Sequence, residues 1–194
     1  MNFVEKYIDE SITILRSIDP VSIDRVAYSI ADVRNSGGRL FILGVGGSAA
    51  TASHAVNDFR KIAHIEAYAP TDNVAEITAR TNDNGWDTTF VDWLKTSRLT
   101  SKDAVMILSV GGGSRQASPN IVEAIKYARK PLGIEKGIGA TILGIVSRDG
   151  GYTVRFGDAV VVIPSTFEDR ITPHTEGIAS VLLHLLVSHP FLSL

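Results

Sequence analysis

Cysteine is absent from the 194 residues. That excludes disulfides, thiolate metal sites and a cysteine nucleophile, and it fits a cytoplasmic protein. Long apolar runs are absent too. The most apolar stretch, Ile178 to Val187, is interrupted by Ser180 and His184. It falls far short of the ~20 residues that span a bilayer, so a buried helix is expected there and no membrane partner. The chain opens Met1-Asn2-Phe3-Val4-Glu5-Lys6, with charge where a signal peptide carries its apolar run. No basic block stands out: 19 Lys and Arg against 21 Asp and Glu leave a net charge of -2, which gives nucleic acid no electrostatic footprint. What remains is an ordinary globular composition, long enough for one domain (1–194) with a substantial core.

The apolar pattern divides that domain. Val4, Ile8, Ile12 and Leu15 recur at helical spacing over 2–17, and Ile23, Val26, Ile30 and Val33 do so over 21–34. Asp19-Pro20 separates these helices, and Asn35-Ser36-Gly37-Gly38 ends the second. They read as an N-terminal helical extension over 1–36, ahead of an α/β core over 37–194. In the core, short continuous apolar runs mark strands buried on both faces: Arg39–Leu43, Ala104–Leu108, Thr141–Val146 and Ala159–Ile163, with a weaker one at Ile65–Tyr68. Helices are expected at 49–62, 88–95, 119–129 and 174–188. Strands alternating with helices predict a three-layer α-β-α sandwich around a central parallel sheet.

Two strand-to-helix junctions repeat one device. Gly44-Val45-Gly46-Gly47-Ser48 follows the first strand, and Ser109-Val110-Gly111-Gly112-Gly113-Ser114 follows the Ala104–Leu108 strand. Glycines let the backbone turn sharply, and the opening turn of the next helix presents unpaired N–H groups and the positive end of its dipole. With Ser48, Ser109 and Ser114 as further donors, the pair suits an anion at the C-terminal edge of the sheet. Gly and Ser are also plain turn and cap residues. No Gly-Lys-Ser/Thr makes a P-loop, and Ala49 stands where a dinucleotide fold has its third Gly, so no nucleotide cofactor is expected.

Two helices carry candidates for acid–base or metal chemistry. His54 and Asp58 are four apart after the first turn, and Glu176 and His184 are eight apart on the last helix. Two His and two carboxylates make a possible four-ligand zinc site. The bland alternatives are a surface His54, a core-packed His184 and a solvated Glu176.

The two turns and their helices resemble the sugar isomerase (SIS) domain family, and within it the phosphoheptose isomerases. The resemblance takes in the two leading helices, Gly46-Gly47-Ser48 with His54, Asn82-Asp83, the second Ser-bounded turn and the last helix. It implies a flavodoxin-like sheet and an aldose–ketose isomerase acting on a sedoheptulose 7-phosphate-like substrate. The phosphate would be gripped by Gly47, Ser48, Ser109, Gly111, Gly112, Gly113 and Ser114. In that family a Glu base and a His acid–base partner stand where this chain has Asp58 and His184, and zinc binds among the residues matching His54, Asp58, Glu176 and His184. It also implies a homo-tetramer assembled through the leading helices. The chain departs from the family pattern at Val45 (Asn), Val110 (Thr), Gly111 (Ser), Asp58 (Glu) and Glu176 (Gln), and has about four extra residues, Thr172 to Thr175, after Asp169-Arg170. The resemblance leaves open a second role, a non-catalytic sugar-phosphate sensor or regulatory binding protein.

Overall fold

A computed structural model describes residues 2–129 and 137–193. Five parallel strands form one sheet: β1 (Leu40–Gly44), β2 (Ala67–Tyr68), β3 (Ala104–Ser109), β4 (Thr141–Ser147) and β5 (Ala159–Ile163), in the order β2-β1-β3-β4-β5. Leu40 pairs with Ala104 and Gly44 with Leu108, so β1 and β3 end side by side. The chain leaves β1 for one edge of the sheet and β3 for the other. This is the flavodoxin-like order, and the strand ends at its switch point open a crevice.

The pleat sorts the strands' apolar residues into two cores. Leu40, Ile42, Met106, Leu108, Leu143 and Ile145 face one layer, with Ile30, Phe59, Leu182 and Leu186. That layer holds α1 (Phe3–Ser17), α2 (Pro20–Asn35), α3 (Gly47–Lys61) and α8 (Ile171–Val187). Phe41, Leu43, Val105, Ile107 and Ile142 face the other, with Phe90, Leu94, Ile121 and Ile125. Here lie α4 (Val74–Asn84), α5 (Thr89–Thr96), α6 (Pro119–Ala128) and α7 (Gly151–Phe156). The expected three layers are present. No described helix is long and apolar enough to cross a membrane.

Three elements differ from the sequence reading. Helix α4 buries none of its residues, so it has no apolar stripe to announce it; Asn73 caps it by accepting from the Glu76 N–H at 3.2 Å. Helix α7 is six residues starting straight after Gly150. Helix α8 begins at Ile171 rather than 174, so the extra residues before Glu176 form its first turn.

The leading helices pack unlike one another. Helix α2 buries Val26, Ala27, Ile30, Ala31 and Val33 within the core. Helix α1 buries only Glu10 and Ile14, while the residues whose period predicts it (Val4, Ile8, Ile12 and Leu15, with Phe3) are exposed. Ile14, in the first core, and Glu10 tie α1 down. The Glu10 carboxylate accepts two hydrogen bonds from the Arg170 guanidinium, at 2.7 and 2.8 Å, and stands 3.0 Å from His174 Nε2 at the start of α8. Tyr7 stacks on the His174 ring, centroids 4.4 Å apart. Arg170 therefore faces α1 and is engaged there.

This clasp has a pH signature. The hydrogen bonds from Arg170, then that of His174, hold the Glu10 carboxyl at about 2, below its ordinary 4.5. A depressed carboxyl stabilises the fold fully above its unfolded pKa, and that contribution is lost as pH falls from 4.5 towards 2. Glu10→Gln is expected to lower the urea midpoint at pH 7 and to flatten the loss of stability across that acid window. An unchanged midpoint and an unchanged acid slope would show that the clasp does not hold α1.

Candidate functional site

The crevice at the ends of β1, β3 and β4 has a volume of about 470 Å³. Ser48 reaches it from the first turn of α3, and Ser109, Gly111, Gly113 and Ser114 reach it from the turn after β3. Ser109 Oγ accepts from the Gly112 N–H at 3.1 Å, and Ser114 Oγ from the Ala117 N–H at 3.1 Å. A hydroxyl whose oxygen is used as an acceptor keeps its proton to donate. Both are therefore disposed to receive an anion.

Two glycines expected at the anion do not line this crevice; close packing accounts for them. A Cβ on Gly47 would come within 2.5 Å of the Glu176 carboxylate. Gly112 has φ +65°, and a Cβ there would run into the Gly150 carbonyl. The turn after β3 is bonded against a third turn, Ser147–Gly151, after β4. Thr153 Oγ1 and N–H donate to the Gly112 carbonyl at 2.7 and 2.9 Å, Tyr152 N–H to Gly113 at 3.1 Å, and Ser147 N–H to Val110 at 3.1 Å. Arg148 and Asp149 of this third turn line the crevice. Sequence reasoning missed them, although Ser147-Arg148-Asp149-Gly150-Gly151 is again a Ser- and Gly-bearing junction of strand and helix.

Thr172 and Glu176 of α8 close the crevice from the side. Further along, α3 and α8 bring three of the four candidate ligands together. His54 Nε2 lies 3.1 Å and His184 Nδ1 3.5 Å from Asp58 Oδ2. The two rings stand edge to face at 5.0 Å. Asn57 donates to the other Asp58 oxygen at 3.0 Å. Asp58 is mostly buried, its side chain 14% exposed, while both imidazoles are more than half exposed. His184 lies on the outer face of α8, not in the core. One ligand atom from each of the three residues lies within 4.8 Å of the other two. Two nitrogens and one carboxylate oxygen, with the imidazoles open to solvent, are a donor set that suits zinc with one position left for water or substrate. Glu176 is outside this group.

The Ser-lined crevice and a His–Asp–His cluster thus share one pair of helices, on a flavodoxin-like sheet. Residues 6–146 match the family described as SIS domain. The chain belongs to the SIS domain family. The phosphoheptose isomerase of Chlorobaculum tepidum is 31% identical over 83% of this chain and 75% of its own length. That of Trichlorobacter lovleyi is 25% identical over 95% of this chain and 92% of its own. Among solved structures, a phosphoheptose isomerase from Neisseria gonorrhoeae superposes with a TM-score of 0.80, covering 95% of both chains at 22% identity, a likeness of fold. With this SIS membership and these relatives, the chain is an isomerase.

Proposed function

We propose that the protein interconverts the aldose and ketose forms of a phosphorylated sugar of the sedoheptulose 7-phosphate type. The observation that carries this is the pairing of the crevice with the His–Asp–His cluster along α3 and α8. The phosphoryl group is received by Ser48, Ser109, Ser114 and the N–H groups of the turn after β3. His54 lies six residues beyond Ser48, about 9 Å along the helix axis. That distance is on the order of the length of a short sugar chain, so the carbonyl end lies towards the cluster.

Isomerisation takes a proton from the carbon beside the carbonyl and returns it to the neighbouring carbon. Asp58 is the base: its Oδ2 stands between the two imidazoles, and Asn57 steadies its other oxygen. His184, on the exposed face of α8, exchanges the proton of the substrate's hydroxyl and carbonyl oxygens. His54, Asp58 and His184 would hold zinc, which would stabilise negative charge on those oxygens; a bound ion would also weaken Asp58 as a base, so metal binding and proton abstraction by Asp58 compete. Asp is one methylene shorter than Glu, so the substrate must approach α3 more closely than a longer base would require.

The fold also leaves apolar surface that a monomer has no use for. Phe3, Val4, Ile8, Ile12 and Leu15 form an exposed stripe on α1, and Ile62, Val181 and Leu185 are exposed near the cluster. Such area favours association, and a homo-tetramer built through α1 covers it. Light scattering at micromolar concentration is expected to give four subunits; a monomer would remove this part of the proposal.

Asp58→Asn is expected to cut kcat by about 10²- to 10⁴-fold, the range of a lost general base, while sugar-phosphate binding stays within a few-fold. Ser48→Ala with Ser114→Ala should do the reverse, raising KM more than it lowers kcat. If both variants lost binding and turnover in parallel, binding and chemistry would not be divided as proposed. Zinc is tested separately by elemental analysis of protein purified without chelator. The parent is expected to carry zinc, and His54→Ala and His184→Ala to lose it. Equal zinc in all three samples would refute the cluster as its site.

A further inference from the structure

The Ser-bounded turns offer neutral donors only, and the residues lining the crevice include a single cation, Arg148. We propose that Arg148 is the cationic clamp on the substrate's phosphoryl group, an inference that rests on the phosphosugar reading above.

The turn that carries Arg148 is held from several sides. Arg148 has φ +55°, in the left-handed region that residues with a Cβ avoid. Its neighbours leave it little choice. Ser147 N–H donates to Val110 and Ser147 Oγ to the Ile163 carbonyl at 2.8 Å, while Gly150 N–H closes the turn on the Ser147 carbonyl at 2.9 Å. Backbone strain persisting in an over-determined turn beside a pocket is a recurrent mark of a working position. The guanidinium has no ion-pair partner among the described residues. The adjacent Asp149 is engaged, its Oδ1 accepting from the Gly151 N–H at 3.2 Å.

The other charges in the crevice are negative. The Glu176 carboxylate packs on Gly47 at the first turn of α3, so negative charge already stands at that helix start. Asp149 lines the crevice as well, so a phosphoryl dianion held by Ser48, Ser109 and Ser114 sits among carboxylates and needs the positive charge of Arg148. Glu176 and Thr172 are left to accept from sugar hydroxyls. Side-chain donors are sparse in the middle of the turn after β3, where Val110 and Gly111 contribute none. A Cβ on Gly111 would meet nothing within 4 Å. The space at Gly111 is therefore open, and a fork of charged N–H donors from Arg148 would answer the shortage.

Inorganic phosphate is the probe, followed by calorimetry and as a competitive inhibitor. Arg148→Met is expected to weaken phosphate binding by about ten-fold or more, as loss of a charge-assisted hydrogen bond does. It should also blunt the sensitivity of binding to salt, and raise KM for a sugar phosphate with kcat within a few-fold. Arg148→Lys should restore part of the affinity, and Gly111→Ser placed in the Met variant should restore part through a neutral donor. An unchanged urea midpoint confirms that the Met variant is folded. If parent and Arg148→Met bind phosphate equally while Ser48→Ala with Ser114→Ala weakens it, the clamp is refuted and the crevice stands. If the parent binds neither phosphate nor sugar phosphates at millimolar concentration, the phosphosugar reading and the clamp fall together.

Discussion

Helices α3 and α8 lie side by side and parallel, and the chemistry of the protein depends on that packing. Both start at the C-terminal edge of the sheet. Gly47 meets Glu176 near their first turns, and Asp58 meets His184 further along. Small residues allow the approach. Ala52 and Ala55 of α3 are buried, as are Ala179 and Leu183 of α8, and Ala55 and Leu183 close the floor beneath the His–Asp–His cluster. A larger side chain at Ala55 would spread the helices and separate Asp58 from His184, because a packed interior has no spare volume to absorb it.

Much of the architecture is legible in the sequence because burial imposes it. Strands β1 and β3 are covered on both faces, so they must be continuous apolar runs, and the turns after them must carry glycine where the backbone bends sharply. Helices α4 and α7 lack that constraint. The first has no fully buried residue and sets only Ile77, partly buried, against the core; the second is too short for a helical period to register. The N-terminal helix is instructive in the opposite way. Its apolar period marks it as a helix, yet those residues face solvent in the single chain, and it is docked by Ile14, outside that period, and by a charged residue, Glu10. Its partners, Arg170 and His174, lie about 160 residues away, a pairing that only the fold creates.

The candidate ligands show where spacing arguments stop. His54 and Asp58, four apart, are separated by about 6 Å of helix rise and can share one ion. Glu176 and His184, eight apart, point in broadly similar directions but stand about 12 Å apart along the axis. Direction alone put them in one site. Rise divides them, Glu176 to the crevice and His184 to the cluster. Glycine carries a similar ambiguity. Gly111 and Gly113 line the crevice, whereas Gly47 and Gly112 are small because a carboxylate and a carbonyl press against them. A Gly-rich turn thus announces close approach without saying what approaches.

The same division bears on catalysis against mere sensing. A sensor of sugar phosphates needs the crevice and nothing beyond it. The cluster lies further down α3 and α8, and it holds a mostly buried carboxylate under two solvent-exposed imidazoles. Such an arrangement does little for the fold: exposed pairs contribute little stability, and burying Asp58 carries a desolvation cost. Ile62, Val181 and Leu185 nearby are exposed apolar residues, the kind of surface the proposed tetramer would cover. Side-chain donors are few at Val45, Val110 and Gly111, where only binding is at stake and backbone N–H groups and Arg148 remain. The groups able to move protons stand together, within reach of one another, on a pair of helices held by the core. That arrangement favours the proposed isomerisation over sensing alone.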